Sequence, residues 1–215
     1  MTDVKICGIS TPDAMTAAIE GGARFVGLVF YPKSPRAVSL EVASYLAAYV
    51  PHDVHIVGLF VDPTDELLRE ALDAVRLDML QLHGTESPGR VAEIKTAFGV
   101  PVMKAISVSS ADDLQMVPGY EAASDWLLFD AKASADAAIP GGNGLPFDWT
   151  ILKDFSASRP WMLAGGLTAE NIESALAVLE PDAVDVSSGV ESAPGVKDAG
   201  KIRRFLTLAL DADKP

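Results

Sequence analysis

Two side chains in this sequence have the chemistry that proton transfer on a small substrate requires, and each ends or follows a short apolar run. Cys7 ends the run Val4–Cys7, and Asp130 follows Trp126–Phe129. A thiol ordinarily titrates at about 8.5 and an aspartate at about 3.9, so a base and an acid need environments that shift both values towards neutrality. A cation such as Lys5 beside the thiol would favour the thiolate, and desolvation or a nearby anion would keep the carboxyl protonated.

Each of these two residues also has a purely structural interpretation. A lone cysteine is often a small buried hydrophobic residue, and an aspartate after a strand often caps a helix or a turn. Cys7 and Asp130 are therefore candidates for an acid–base pair only if the fold brings both to one cavity.

Further polar side chains lie at the ends of predicted strands or in the loops after them. They are Lys5, Arg36, His83, Asp185, Ser187 and Ser188. Arg36 follows two prolines that stiffen its loop, and its guanidinium suits bidentate binding of a carboxylate. The alternative is a solvated surface arginine. His83 is interpreted as a structural hydrogen-bonding residue rather than a catalyst.

Two glycine-containing turns suggest a phosphate site. Gly165-Gly166 and Ser188-Gly189 follow the last two predicted strands. Glycine lets the backbone approach an anion closely, and backbone N–H groups near a helix N-terminus bind phosphate. Each turn alone could be an ordinary connection between a strand and a helix, but the two together predict phosphate binding.

An alternation of short apolar strands and amphipathic helices positions these residues. The predicted strands are Val4–Cys7, Phe25–Phe30, His55–Val61, Met79–Leu82, Val102–Ile106, Trp126–Phe129, Trp161–Leu163 and Ala183–Val186. Helices are predicted between them, including about Ala111 to Val117, Phe147–Leu152, Thr168 to about Leu179, and about Lys197 to Leu210.

Eight strand–helix units of this kind predict an α/β protein with a parallel sheet closed into a (β/α)8 TIM barrel. Residues 1–210 are expected to form this single domain, and 211–215 a short C-terminal tail. The alternative, an open doubly wound sheet, would need a glycine-rich phosphate loop after the first strand, which Cys7-Gly8-Ile9-Ser10 is not. Barrel sites lie at the carboxyl ends of the strands, so the polar residues above are expected to converge.

The longest connection, Ala131–Pro146, is expected to form a lid. Long loops in compact domains are usually functional, and Gly141-Gly142-Asn143-Gly144 could act as its hinge. The alternative is a tolerated surface insertion.

Composition limits the partners. The formal net charge of -13 makes the chain a poor match for nucleic acid or an anionic membrane, so a small anionic ligand must be bound by local donors. No apolar run reaches the roughly 18 residues of a membrane span. A single cysteine, and a first strand too close to the N-terminus to leave room for a signal peptide, predict a cytoplasmic protein.

Several motifs together resemble the phosphoribosylanthranilate isomerase family. They are Lys5–Gly8, Gly27–Arg36, Gly58–Val61, Leu80–Gly84, Phe129–Ala131, Gly141–Gly144, Phe147–Trp149, Leu163–Leu167 and Asp185–Glu191. They span nearly the whole chain in the family's order, and the loop after the second strand is highly specific when combined with the cysteine motif. Ala131 stands where many members carry threonine, which leaves the preceding carboxyl in place.

The resemblance implies an aldose–ketose isomerase of tryptophan biosynthesis that works by Amadori rearrangement, with no cofactor and no metal. It also implies a small anionic phosphosugar substrate, and we expect a monomer or weak homodimer. The implied roles are base for Cys7, acid for Asp130, carboxylate binding for Arg36, phosphate binding for Gly165, Gly166, Ser188 and Gly189, and substrate-side positions for Lys5, His83 and Asp185.

Three alternative functions compete with this one. An indole-glycerol-phosphate synthase needs a catalytic lysine where this chain has Cys7, and a ribulose-phosphate epimerase needs a metal site, for which only one histidine is well placed. A non-catalytic phosphoribosyl-ligand binding barrel would be expected to have lost Cys7 or Asp130, and both are present.

Overall fold

The chain folds into a closed barrel of eight parallel strands, as predicted. The structure is a computed structural model, and it describes residues 2–131 and 148–212. The strands are β1 Asp3–Cys7, β2 Phe25–Val29, β3 His55–Phe60, β4 Met79–Leu82, β5 Val102–Val108, β6 Trp126–Ala131, β7 Trp161–Leu163 and β8 Ala183–Val186. Each strand pairs with the next, and β8 pairs with β1 to close the barrel.

Alternation along the strands decides which side chains enter the barrel, because successive residues point to opposite faces of a sheet. On β1, Val4 and Ile6 belong to the apolar layer between barrel and helices. Lys5 and Cys7 therefore point inward. On β6, Phe129 lies in the same outer layer, so Asp130 points inward.

The helices follow the strands. They are α1 Pro12–Glu20, α2 Leu40–Ala47, α3 Asp65–Ala74, α4 Pro88–Phe98, α5 Val117–Ala123, α6 Ile172–Leu176 and α7 Ala199–Asp211, with short 3-10 helices at Ala111–Met116, Trp149–Leu152 and Ser188–Val190. Side-chain oxygens of Thr11, Ser39, Thr64 and Ser87 accept hydrogen bonds from the first turns of α1 to α4. These caps satisfy backbone N–H groups that have no partner inside the helix.

The predicted helix from Thr168 to Leu179 is wrong in extent, because α6 covers only Ile172–Leu176. Asn171 accepts a hydrogen bond from the Thr168 N–H at 2.8 Å and donates to the Gly166 carbonyl at 2.9 Å. This side chain holds the preceding segment as a loop, and the helix begins only after it.

Two elements near the C-terminus were not predicted. After β8, the strands β9 Glu191–Ala193 and β10 Val196–Lys197 form an antiparallel hairpin. The last helix consequently begins at Ala199 rather than near Lys197, and it extends to Asp211. Strands this short carry no readable periodicity.

Two predictions fall on residues that the structure does not describe. Most of the expected lid, including Gly141–Gly144, lies within 132–147, and the end of the expected tail lies in 213–215; both are outside the described residues.

A buried ion pair supports the loop after β4. The Lys104 ammonium lies 2.8 Å from Glu86 Oε2, and both side chains are almost fully buried. The ammonium also donates to the carbonyls of Leu82 and Gly84, while Glu86 Oε1 accepts from the Asp62 N–H at 2.8 Å. The pair therefore fixes the segment that carries His83.

Replacing Glu86 by glutamine is expected to reduce the free energy of unfolding by about 3–5 kcal/mol, because Lys104 would keep a buried charge without its partner. Urea unfolding at neutral pH measures this. The control is Glu93→Gln, since Glu93 is exposed and 3.6 Å from Arg90; its change should be within about 0.5 kcal/mol. Equal losses in the two variants would contradict the structural role of the buried pair.

Candidate active site

A buried cluster of three ionisable groups occupies the end of β1 and its neighbour β8. Lys5 Nζ lies 2.9 Å from Asp185 Oδ1, with the lysine side chain fully buried. A methyl group added at Gly27 would lie 3.0 Å from Cys7 Sγ and 3.2 Å from Lys5 Nζ, so the thiol and the ammonium share one pocket beside β2. The predicted convergence of Lys5, Cys7 and Asp185 is found here.

The thiol is not activated in the way that its lysine neighbour suggested. Burial raises the pKa of Cys7, the Lys5 ammonium opposes this rise, and the Asp185 carboxylate adds to it. For Lys5, burial works against the ammonium, but Asp185 and then Cys7 outweigh it and raise the pKa of Lys5. The Asp185 carboxylate neutralises much of the positive charge of Lys5, which would otherwise stabilise a thiolate at Cys7.

Asp130 sits across the barrel at the end of β6 and is hydrogen-bonded on both oxygens. Oδ1 accepts from the Ala131 N–H at 2.8 Å, and Oδ2 lies 3.2 Å from His83 Nε2. Gln81 Nε2 lies 3.0 Å from His83 Nδ1. With this amide as donor, the imidazole carries its proton on Nε2 and donates to Asp130.

This chain of hydrogen bonds constrains the acid role of Asp130. If the carboxyl is protonated on Oδ2 on the side of His83, Oδ2 donates to His83 Nε2 rather than accepting from it, and His83 Nδ1 then carries the ring proton. To accept a hydrogen bond from that proton, the side-chain amide of Gln81 would have to flip so that Oε1 faces His83 Nδ1. In the assigned orientation, Gln81 Oε1 is buried and has no hydrogen-bond partner among the described residues. In that arrangement a proton on Asp130 and the tautomer of His83 change together.

Arg36 is buried and faces a protein carboxylate. Its Nε lies 2.7 Å from Glu191 Oε1, and its Nη2 lies 3.0 Å from Glu191 Oε2. Only 6% of Arg36 is exposed, so the alternative of a solvated surface arginine is wrong. Sequence reasoning missed Glu191 as its partner.

Lys197 joins this group from β10. Its ammonium donates to Glu191 Oε1 and to the Ser187 carbonyl, both at 2.8 Å, and to Ser187 Oγ at 3.2 Å. Burial lowers the pKa of Lys197, and Glu191 opposes that shift. Ser187 Oγ in turn donates to the Cys7 carbonyl at 3.1 Å, which links the cluster to the thiol's strand.

The two glycine turns pack against each other. Gly165 and Gly166 have φ values of 85° and 67°, in the left-handed region. A methyl group added at Gly189 would lie 1.9 Å from the Leu167 carbonyl oxygen, so only glycine permits this contact. The turns after β7 and β8 therefore form one continuous backbone surface at the mouth.

Sequence reasoning missed three residues that hold the site together: Gln81, Glu191 and Lys197. Gln81 and Glu191 lie inside motifs that carried the resemblance, so a signal for them existed. Lys197 had none, since it lies in the short hairpin strand β10, in a segment whose pattern predicts the start of a helix.

Within residues 2–131 and 148–212, no group of three or more His, Cys, Asp or Glu side chains is arranged to hold a metal ion. Over the same residues, no helix has the length and apolar character to cross a bilayer.

Comparison with known proteins gives one consistent result. The family model described as N-(5'phosphoribosyl)anthranilate (PRA) isomerase matches residues 4–207. The N-(5'-phosphoribosyl)anthranilate isomerase of Rhodospirillum centenum is 55% identical over 207 residues, which cover 96% of this chain and 97% of that protein.

Solved structures agree with the sequence matches. The phosphoribosyl anthranilate isomerase of Thermotoga maritima superposes with a TM-score of 0.87 at 37% identity, covering 98% of this chain and 99% of that chain. A phosphoribosyl anthranilate isomerase in complex with reduced 1-(o-carboxyphenylamino)-1-deoxyribulose 5-phosphate superposes with a TM-score of 0.84 at 37% identity and the same coverage.

The charges around the thiol predict opposite effects of two substitutions on the pKa of Cys7. Asp185→Asn should lower it, because it removes a repelling carboxylate and leaves the Lys5 charge uncompensated. Lys5→Met should raise it further. Cys7 is the only cysteine and the chain has four tyrosines that also absorb near 240 nm when ionised, so the difference in absorbance between each variant and its Cys7→Ala counterpart during a pH titration reports the thiolate.

Glu93→Gln, which removes an exposed carboxylate paired with Arg90 on α4, should leave the titration midpoint unchanged. Shifts of the same sign in Asp185→Asn and Lys5→Met would show that the electrostatic account is wrong.

Proposed function

The chain belongs to the N-(5'-phosphoribosyl)anthranilate isomerase family, and we propose which of its residues perform the isomerisation that defines that family. The reaction is the aldose–ketose conversion of N-(5-phosphoribosyl)anthranilate to 1-(2-carboxyphenylamino)-1-deoxy-D-ribulose 5-phosphate in tryptophan biosynthesis. One observation supports the assignment most strongly: a thiol and a carboxyl point into the same barrel mouth from strands on different sides of it.

Asp130 is the proposed general acid. It donates a proton to the ring oxygen of the ribose, the C1–O bond breaks, and the nitrogen lone pair forms the C=N bond of an iminium ion. His83 lies 3.2 Å from the same carboxyl oxygen and serves to hold and return the proton. Proton transfer by one positioned group typically contributes about 10²–10⁴-fold.

Cys7 is the proposed general base. As a thiolate it removes the proton from C2, which gives an enolamine that tautomerises to the ketone. Its raised pKa means that the thiolate is the minor form at neutral pH in the unliganded protein. Activity should therefore increase as the pH rises towards the pKa of Cys7.

The two ends of the substrate are anionic and need separate donors. Arg36 is the proposed partner of the anthranilate carboxylate, since a guanidinium binds carboxylates through parallel hydrogen bonds. The phosphate is assigned to the surface formed by Gly165, Gly166, Ser188 and Gly189. Backbone N–H groups there supply donors without side-chain charge.

Each step of this reaction as proposed is a proton transfer, the acid-assisted opening of the ring C1–O bond or a tautomerisation, and none of them calls for a cofactor or a metal. We propose that the protein acts in the cytoplasm as a monomer or weak homodimer on this small phosphosugar, with no nucleic acid or membrane partner. A phosphoribosyl-binding barrel without turnover is the weaker candidate, since such a protein would have no need to retain Cys7 and Asp130 together at the mouth.

Cys7→Ala and Asp130→Asn are each expected to lower kcat by at least about 10²-fold, because each removes one proton-transfer group. The loss of fluorescence from freshly prepared phosphoribosylanthranilate measures turnover. Both variants should still unfold cooperatively in urea and bind the reduced product analogue. Near-normal turnover in either one would remove that residue from the mechanism.

Arg36→Ala is expected to raise KM for phosphoribosylanthranilate by about 10- to 100-fold, the range that the loss of a charge-assisted bidentate contact corresponds to. Isothermal titration with the reduced product analogue gives the binding change independently of turnover. An unchanged dissociation constant would count against the carboxylate contact.

A further inference from the structure

Gln81 is a polar side chain in the interior of the barrel. Its neighbours on β4, Leu80 and Leu82, belong to the layer between barrel and helices, so Gln81 points inward, as Met79 does. The side chain is fully buried. A buried amide that lacks hydrogen-bond partners costs free energy that an apolar side chain of similar size avoids, so the contacts of Gln81 indicate what the amide does there.

Within residues 2–131 and 148–212, the Gln81 side chain forms one hydrogen bond, and its partner is His83. Nε2 lies 3.0 Å from His83 Nδ1, and Oε1 has no partner among those residues. Flipping the amide would place two N–H groups where that one oxygen now stands, and a buried donor without a partner is the rarer case in folded proteins. The amide nitrogen therefore faces His83 and donates to Nδ1.

This hydrogen bond fixes which nitrogen of His83 carries the ring proton. A neutral imidazole that accepts at Nδ1 carries its proton on Nε2, which lies 3.2 Å from Asp130 Oδ2. The ring then donates to Oδ2, while the Ala131 N–H donates to Oδ1 at 2.8 Å. Each carboxyl oxygen thus accepts from one donor, so a proton carried by Asp130 has to lie on a side that faces neither His83 nor Ala131.

The opposite orientation of the amide would draw that proton away from the substrate. With Oε1 towards His83, the ring carries its proton on Nδ1 and presents Nε2 as an acceptor. A proton on Asp130 would then lie in the contact between Oδ2 and Nε2. The two arrangements use the same three side chains and differ in the direction of both hydrogen bonds.

We propose that Gln81 is a positioning residue for the acid step: by donating to His83 Nδ1, its amide keeps His83 a donor to Asp130 and so directs the acidic proton of Asp130 towards the substrate. This inference rests on the proposed role of Asp130 as general acid. Once that proton has moved to the ring oxygen of the ribose, the same Nε2–H group stabilises the carboxylate that remains. Because Gln81 acts through His83, its removal should lower kcat and leave KM nearly unchanged.

The alternative is that Gln81 only fills space inside the barrel. Methionine has a similar length and no amide, and the apolar cluster inside the barrel already contains Met79, Met103 and Met162. If Gln81 only fills space, Gln81→Met should leave turnover unchanged. If Gln81 positions His83, turnover should fall even though the variant unfolds at the same or a higher urea concentration, because a buried oxygen without a partner among the described residues has been removed.

The test compares Gln81→Met and Gln81→Glu with the same two substitutions at Gln115. Gln115 is exposed on the 3-10 helix after β5, where its amide nitrogen lies 3.4 Å from Asp112 Oδ1, so Gln115→Met and Gln115→Glu are matched controls. A carboxylate at position 81 accepts from His83 Nδ1 and reverses the direction of both hydrogen bonds. Turnover of phosphoribosylanthranilate gives kcat and KM, and titration with the reduced product analogue gives its dissociation constant.

Gln81→Met should lower kcat about 3- to 10-fold, the range that one neutral hydrogen bond corresponds to. Gln81→Glu should lower kcat at least about 10-fold, because the reversed hydrogen bond involves a charge. In both variants KM and the dissociation constant of the analogue should stay within about twofold, and both Gln115 variants should match the unaltered protein. An unchanged kcat in the two Gln81 variants, or a loss that falls on KM instead, would overturn the proposal.

¹⁵N NMR of histidine-labelled protein observes the tautomer directly, since bare and protonated ring nitrogens differ strongly in chemical shift. The chain has three histidines, and the signals of His83 are those that His83→Ala removes. In mildly alkaline buffer, Nδ1 of His83 should be bare in the unaltered protein and protonated in Gln81→Glu. A proton on Nδ1 in the unaltered protein, or a protonated Nδ1 in Gln81→Glu without any loss of kcat, would contradict the positioning role.

A double variant separates this inference from the function on which it rests. If Gln81 acts through His83, Gln81→Met should change kcat by less than about twofold in the His83→Ala background. A full additional loss there would mean that Gln81 acts by another route, and the proposal would be wrong. If Asp130→Asn keeps near-normal turnover, the acid role itself is wrong; if Asp130→Asn loses turnover and Gln81→Glu does not, only the present inference fails.

Discussion

The Lys5–Asp185 ion pair lies in the seam at which the barrel closes. Lys5 on β1 and Asp185 on β8 are direct register partners, and their side chains meet at 2.9 Å inside the barrel. A buried lysine without this carboxylate would carry an uncompensated charge, so the register of the closing strands and the pairing of these charges depend on each other. The same pair sets the environment of Cys7, whose thiol faces a cation that is already neutralised.

The barrel mouth contains two groups of buried charges. The pair beside Cys7 joins one cation to one carboxylate, whereas Glu191 lies between two cations, Arg36 and Lys197. This division suits the proposed chemistry. A proton-transfer centre benefits from groups whose ionisation can shift, while the site for a permanent carboxylate benefits from a fixed cation. A surface with an overall charge of -13 would repel the substrate without such a local site.

Much of the fold could be predicted because hydrophobic alternation is a local signal. The eight strands were found within two residues of their observed bounds. The errors came where hydrogen bonding or packing overrides the hydrophobic pattern. Asn171 delays the start of α6 through local side-chain hydrogen bonds with Thr168 and Gly166. The hairpin at Glu191–Lys197 is instead stabilised by tertiary packing on the loop of Arg36.

The sequence by itself determined that a thiol, a carboxyl, a guanidinium and two glycine turns stand at strand ends, and therefore that a barrel would bring them to one mouth. It also identified the family, since the motifs occur in order along nearly the whole chain. Only the tertiary structure decided how these groups are charged and oriented. Three contacts between residues far apart in the chain decide this. Asp185 neutralises Lys5, and Glu191 forms an ion pair with Arg36. Asp130 contacts His83, which in turn is hydrogen-bonded to Gln81. The physical reason is that ionisation and orientation depend on distance and burial in space, which residue type and spacing do not specify.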